Sequence, residues 1–160
     1  MPALDERPYP PEQPDRPQPL SAAEEALVRA LGRIMMVLPR TIDADMLRDA
    51  HLPLSEYTTL MHLSEAPDRR MRMSELATAS LVSLSGMTRI VARLEGAGLV
   101  ERVRCDEDAR GLHAVLTEAG FTRLQQAWPA HLASVRRHIL NHLDGADPAA
   151  LTSVLDRFAS

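Results

Sequence analysis

Between Ser83 and Thr117 the spacing of apolar residues changes from a helical period to a strand period across two glycines, and the strand then turns back on itself. Leu84, Met87, Ile90, Val91 and Leu94 form the inward stripe of a helix that Ser83 can cap. Gly96 and Gly98 end it, and either can take the left-handed cap. "LVERVRC" then alternates as a strand, with Leu99, Glu101, Val103 and Cys105 on one face and Val100, Arg102 and Arg104 on the other. "DEDARG", residues 106–111, forms an acidic tip, and "LHAVLT" pairs back across it. A helix joined this tightly to a hairpin leaves few folds open.

The segments before and after narrow the choice. Ser21-Ala-Ala-Glu24 is a capping box, followed by Leu27, Leu31, Ile34, Leu38 and Ile42 on one helical face. Pro39 interrupts that face, so a kink or break is expected there. A second helix is expected over about 53–65, with Leu54, Tyr57, Leu60, Met61 and Leu63 as its apolar positions. Met71–Met73 reads as extended, and Ser74 as the cap of the helix "SELATAS". Three residues separate that helix from the one capped by Ser83. After the hairpin, Thr117 caps a helix expected to run to about Leu143. Its apolar side is Phe121, Leu124, Trp128, Leu132, Val135, Ile139 and Leu143, and Pro129 should bend it. Asp147-Pro148 opens a last helix. Residues 1–19 hold seven of the twelve prolines and read as a disordered or polyproline tail.

The expected fold is therefore mainly α with a small β-wing: a winged helix-turn-helix over about 52–117, flanked by helices over about 21–48 and 118–158. Residues 20–160 form a single domain. No apolar run approaches the ~20 residues of a membrane span, and no signal-peptide order opens the chain. One cysteine rules out an internal disulfide, so the cytoplasm is the expected location, without a membrane partner. No metal or cofactor motif, phosphate loop or nucleophile elbow is found, so neither an enzyme nor a cofactor is expected.

A helix-turn-helix pairs a bracing helix with one whose N-terminal side chains reach base edges in the major groove. The outward face here offers Ser83, Ser85, Gly86, Thr88 and Arg89, with Arg93 one turn on. Serine and threonine are short donors and acceptors, Gly86 permits close approach, and Arg89 can reach a guanine with two bonds. The bland alternative is an amphipathic helix whose polar side is merely solvated. At the hairpin tip, Arg110 suits the minor groove, where negative potential concentrates, and Asp108 can orient it. The alternative is that this pair only stabilises the turn. Net charge is −4, yet residues 69–110 carry +2 and the rest −6. Duplex DNA is the partner this distribution favours. The overall acidity favours the alternative, a winged-helix module that binds protein and no DNA.

"DEDARGLHAVLTEAG" resembles the wing of the MarR (multiple antibiotic resistance regulator) family, matching at Asp108, Arg110, Gly111, Val115, Leu116, Thr117 and Gly120. "SGMTRIVARLEGAGLVER" is similar to the family's reading helix, with Met87 in place of valine, and "LSEYTTLMHLSEAP" to the helix before it. The likeness covers about residues 25–158. It implies a homodimer with interlocked terminal helices, gripping a pseudo-palindromic operator as a repressor. It also implies release by a small phenolic or anionic effector, for which Met35, His62 and Trp128 are candidate lining residues. The plain alternative is core filler for Met35 and Trp128 and a surface role for His62. His138 and His142, with His131 before them, could share zinc but lack further ligands, and an incidental stripe is the alternative. Cys105 lacks the partner thiol that oxidant sensing needs.

Overall fold

The computed structural model describes residues 18–104 and 111–159. The chain divides into two units, Met1–Met35 and Met36–Ser160. In the first, the Ser21 box forms as the sequence predicts: Ser21 N donates to Glu24 Oε2 at 2.8 Å and Glu24 N to Ser21 Oγ at 3.3 Å. It starts helix α1, Ala22–Ala50. Leu27, Val28, Ile34 and Met35 are exposed on it.

Contrary to expectation, α1 runs through Pro39 unbroken. One proline removes one hydrogen bond, and the turns that follow are anchored by Ile42, Asp45 and Met46, all buried. The second unit continues with α2, Leu54–Glu65; β1, Arg70–Arg72; α3, Met73–Ala79; α4, Leu84–Gly96; β2, Val100–Arg104; β3, Leu112–Leu116; α5, Glu118–His138; and α6, Pro148–Ala159. The helix α3 starts one residue before the expected cap. The pairing of β1 with β3 holds Arg72 opposite His113, and Glu75 Oε2 accepts from Arg72 N at 3.3 Å. Ser74 therefore lies inside the first turn.

The sheet is antiparallel in the order β1-β3-β2, with Val100 opposite Leu116 and Arg104 opposite Leu112. Only Val100 of β2 is buried, because the rest of the strand projects past the core. That core is aliphatic: Leu60, Leu63, Leu76, Met87, Val91, Leu94 and Val100 surround Tyr57.

The apolar side expected for α5 meets the core only in part, through Leu124 with Phe121 and Ile139 packed beside it. Gly120, Leu124, Ala127 and Ser134 are buried, whereas Trp128 is 51% exposed. Small residues seven apart let the helix approach closely, and Tyr57 stacks on His131 at 4.4 Å between centroids. The helix ends at His138, not near Leu143, because Ile139 leaves helical geometry (φ −125°, ψ −69°). Pro129 lies within it without interrupting it.

Two tight features hold these parts. Thr117 Oγ1 donates to Gly98 O at 2.8 Å and accepts from Gly120 N at 3.0 Å, while Thr117 N donates to Leu99 O at 3.1 Å. A Cβ on Gly120 would overlap the Leu99 carbonyl oxygen and sit 2.7 Å from Leu116 Cδ1. Between α1 and α5, Asp45 is 5% exposed. It accepts from Ser134 Oγ at 2.9 Å, Arg137 Nη1 at 3.1 Å and Arg48 Nη2 at 2.7 Å. His138 Nε2 lies 2.9 Å from the same carboxylate. Burial opposes ionisation of Asp45, but the bonds from Arg48, Ser134 and His138 outweigh it and hold the carboxyl well below the usual range.

Gly120→Ala should cost about 2–4 kcal/mol, since the obstacle is backbone and cannot move aside. Gly96→Ala, with nothing within 4 Å, should be neutral or stabilise by up to about 1 kcal/mol. Denaturant unfolding of both variants checks the contrast. Asp45→Asn should lower Tm by several degrees at neutral pH. Because the native carboxyl is depressed, its contribution is complete above the unfolded value of about 3.9 and fades as pH falls towards the native one. The Tm gap between parent and variant should therefore be constant above about pH 5 and narrow below about pH 4.

Candidate nucleic-acid interface

The face opposite the buried stripe of α4 is built from the cap upward. Ser83 is extended (φ −67°, ψ 154°), and its Oγ accepts from Gly86 N at 3.1 Å. Ser85 Oγ lies 3.1 Å from Ser83 Oγ, and Thr88 Oγ1 donates to Leu84 O at 2.8 Å. The Thr88 hydroxyl hydrogen is thus engaged locally, while the Ser83–Ser85 contact uses one of the two serine hydrogens and leaves the other for an outside acceptor. Gly86 has a local use as well, for a Cβ there would stand 3.2 Å from Ser83 Oγ, crowding the cap.

The arginines divide sharply. Arg89 is exposed and has no partner among the described residues. Arg93, by contrast, donates from Nε to Glu56 Oε1 at 2.7 Å, tying α4 to α2. Arg102 donates from Nε to Glu95 Oε2 at 2.8 Å and also from Nη2. That bonding holds the Glu95 carboxyl below its ordinary value and locks the base of the hairpin to the end of α4. Arg69 lies over the Phe121 ring at 4.1 Å and donates to Glu118 Oε1 at 2.7 Å. Ser83, Ser85, Gly86, Thr88 and Arg89 are brought together on one helix end, while Arg93 is drawn aside. Asp108, Arg110 and Cys105 lie outside the described residues.

One inward assignment is corrected. Leu84 is 54% exposed, because the four apolar residues from Met87 to Leu94 complete the core face without it. It lines a groove of about 290 Å3 with Met73, Thr88 and Leu112. Leu81, in the turn before α4, is 92% exposed and has φ +54°. Sequence reasoning missed both as surface groups. A core of four residues already filling one face of a 13-residue helix was the available signal.

Of the effector candidates, Met35 belongs to the first unit and His62 and Trp128 to the second. His62 lines a cavity of about 550 Å3 with Glu65, Met71, Glu75 and His113, and Trp128 is not among its lining residues. Met35 is 71% exposed on α1. His131 is half-buried against Tyr57, and burial pushes its pKa down. The end of α5 at His138 separates that residue from the turn carrying His142. No metal-holding group of three His, Cys, Asp or Glu occurs among the described residues.

A family model described as "MarR family" matches residues 52–111. Two solved structures of MarR family transcriptional regulators from Streptomyces coelicolor are similar along most of both chains. Sco3205, in complex with DNA, has a TM-score of 0.82 and 34% identity, covering 89% of this chain and 90% of that one. AbsC has a TM-score of 0.75 and 38% identity, covering 86% and 90%. The HTH-type transcriptional repressor YetL of Bacillus subtilis is 33% identical over 89 residues, or 56% of this chain and 53% of that protein. The chain spans about half the length of the curated relatives it matches.

Proposed function

The chain belongs to the MarR family of transcriptional regulators, and on that premise we propose that it is a homodimeric repressor that binds a pseudo-palindromic duplex operator. The observation that carries this reading is Arg89, a guanidinium without a partner among the described residues, on the outward face of a capped helix whose other side is committed to the core. That geometry suits a helix entering the major groove, and a relative of 34% identity was solved with DNA. Arg110, from the hairpin tip, takes the minor groove with Asp108 orienting it. Two copies place their α4 helices about 10 base pairs apart. The dimer reading is supported by apolar side chains that each unit leaves in solvent. In the second unit these include Trp128, Val154, Leu155 and Phe158.

Release by a small phenolic or anionic effector, with Met35, His62 and Trp128 as contacts, rests on the family likeness and on the cavity beside His62. A cytoplasmic location fits a regulator of DNA. No helix among the described residues is long and apolar enough to cross a membrane. Membership of a family of transcriptional regulators assigns no enzymatic role. A second reading, a protein-binding winged helix, is favoured only by the net charge of −4.

Binding to a duplex selected from a random pool separates the two. A regulator that neutralises about six phosphates loses orders of magnitude in affinity between about 50 and 200 mM salt. A protein-binding module has no duplex affinity at either salt. Arg89→Ala should cost about 1–3 kcal/mol, concentrated at one base pair; uniform weakening would make Arg89 a phosphate contact. Arg110→Ala should weaken binding by more than about tenfold without altering the dimer.

A further inference from the structure

We propose that Leu84 is a specificity-determining residue that reads the 5-methyl group of a thymine from the first turn of α4. The inference rests on the reading that α4 enters the major groove, and it adds a base contact to that reading. Four observations converge on it.

Leu84 is the first residue of the helix after the Ser83 cap, and 54% of it is exposed. Met87, Ile90, Val91 and Leu94 close the core without it. One exposed leucine is ordinary. Three residues earlier, however, Leu81 is more exposed still and holds φ +54°, a conformation that suits glycine or asparagine better. Large aliphatic side chains therefore bracket the cap on the surface that the helix presents first.

The polar groups around them are partly engaged with one another. The Thr88 hydroxyl gives its hydrogen to Leu84 O, and the Ser83 and Ser85 oxygens lie within hydrogen-bond distance of each other. Ser83 Oγ also accepts from Gly86 N. Apart from Arg89 and one serine hydroxyl hydrogen, the leading turn offers a base edge an apolar surface and some lone pairs. The thymine methyl is the apolar group that bases expose in the major groove, and contact with it distinguishes T·A from the other pairs.

The groove that Leu84 shares with Met73, Thr88 and Leu112 gives the alternative, in which the side chain serves only as a wall. The experiment separates the two. In a duplex selected by the wild-type protein, each thymine is replaced singly by deoxyuridine, which removes the methyl and nothing else. The wild type should lose about threefold to tenfold at one position in each half-site, the worth of about one buried methyl. Leu84→Ala should bind the parent duplex more weakly by a similar factor and show no loss at that position. Leu84→Gln, similar in length and polar at the tip, should also lose the discrimination.

Uniform tolerance of deoxyuridine by the wild type overturns the proposal, as does a Leu84→Ala protein that keeps the full thymine preference. Absence of any duplex binding by the wild type overturns instead the reading on which the proposal rests.

Discussion

The junction at Thr117 sets the geometry on which the rest depends. Within a few ångströms it joins the end of α4, the start of β2, the end of β3 and the start of α5. Thr117 contributes its N–H to Leu99 O and its hydroxyl hydrogen to Gly98 O, and takes the N–H of Gly120 in return. Gly98 turns the chain at φ +71°, and Gly120 omits the atom that would hold α5 away from the Leu99 carbonyl. These constraints involve the backbone and one side chain, the Thr117 hydroxyl. They fix how α4 and the hairpin lie against α5 without using any side chain from the outward face of α4, so that face is free to vary with the sequence it reads.

The second constraint is the charge lock at Asp45. Carboxylates avoid the interior unless their lone pairs are filled. Here Ser134, Arg137, Arg48 and His138 all converge on one carboxylate. Of this set, Arg137 and His138 stand in the last turn of α5 and Arg48 in the last turn of α1, so each helix end has a basic group beside its partial negative charge. Apolar packing is non-directional and by itself sets no unique register between two helices. A directional polar contact gives the pair a register. For a protein whose long helices are proposed to carry a dimer, that register relates the reading helices to one another.

Local signals in the sequence were read correctly, and non-local ones were not. Ser21, Ser83 and Thr117 cap the helices they precede, and the hairpin pairs as its alternation predicts, because these depend on residues within a few positions. Ser74 does not cap its helix, because strand pairing between Arg72 and His113, forty-one residues apart in the chain, decides where α3 begins. Pro39 does not break α1, because burial of Ile42 and Met46 outweighs the local penalty. The apolar pattern of α5 mixed two faces, and periodicity cannot tell which apolar side meets the core of the same chain. At the reading helix, residue type placed Ser83, Ser85, Thr88 and Arg89 on one end. It could not show that Thr88 bonds back to Leu84 O, that Ser83 and Ser85 pair, or that Glu56 draws Arg93 away.

That division of the arginines bears on how an acidic chain can select a duplex at all. Non-specific affinity comes from cations that displace counterions from phosphate. Arg93, Arg102 and Arg69 are each neutralised by a carboxylate of the same chain, which weakens their call on phosphates. Arg89 is left without a partner among the described residues, beside an apolar residue and two serine hydroxyls. A surface composed in this way would gain little from DNA in general and depend more on base edges that match it. With a net charge of −4 opposing loose association, the proposed operator affinity would draw a larger share from direct readout, in which the proposed contacts of α4 would carry the discrimination.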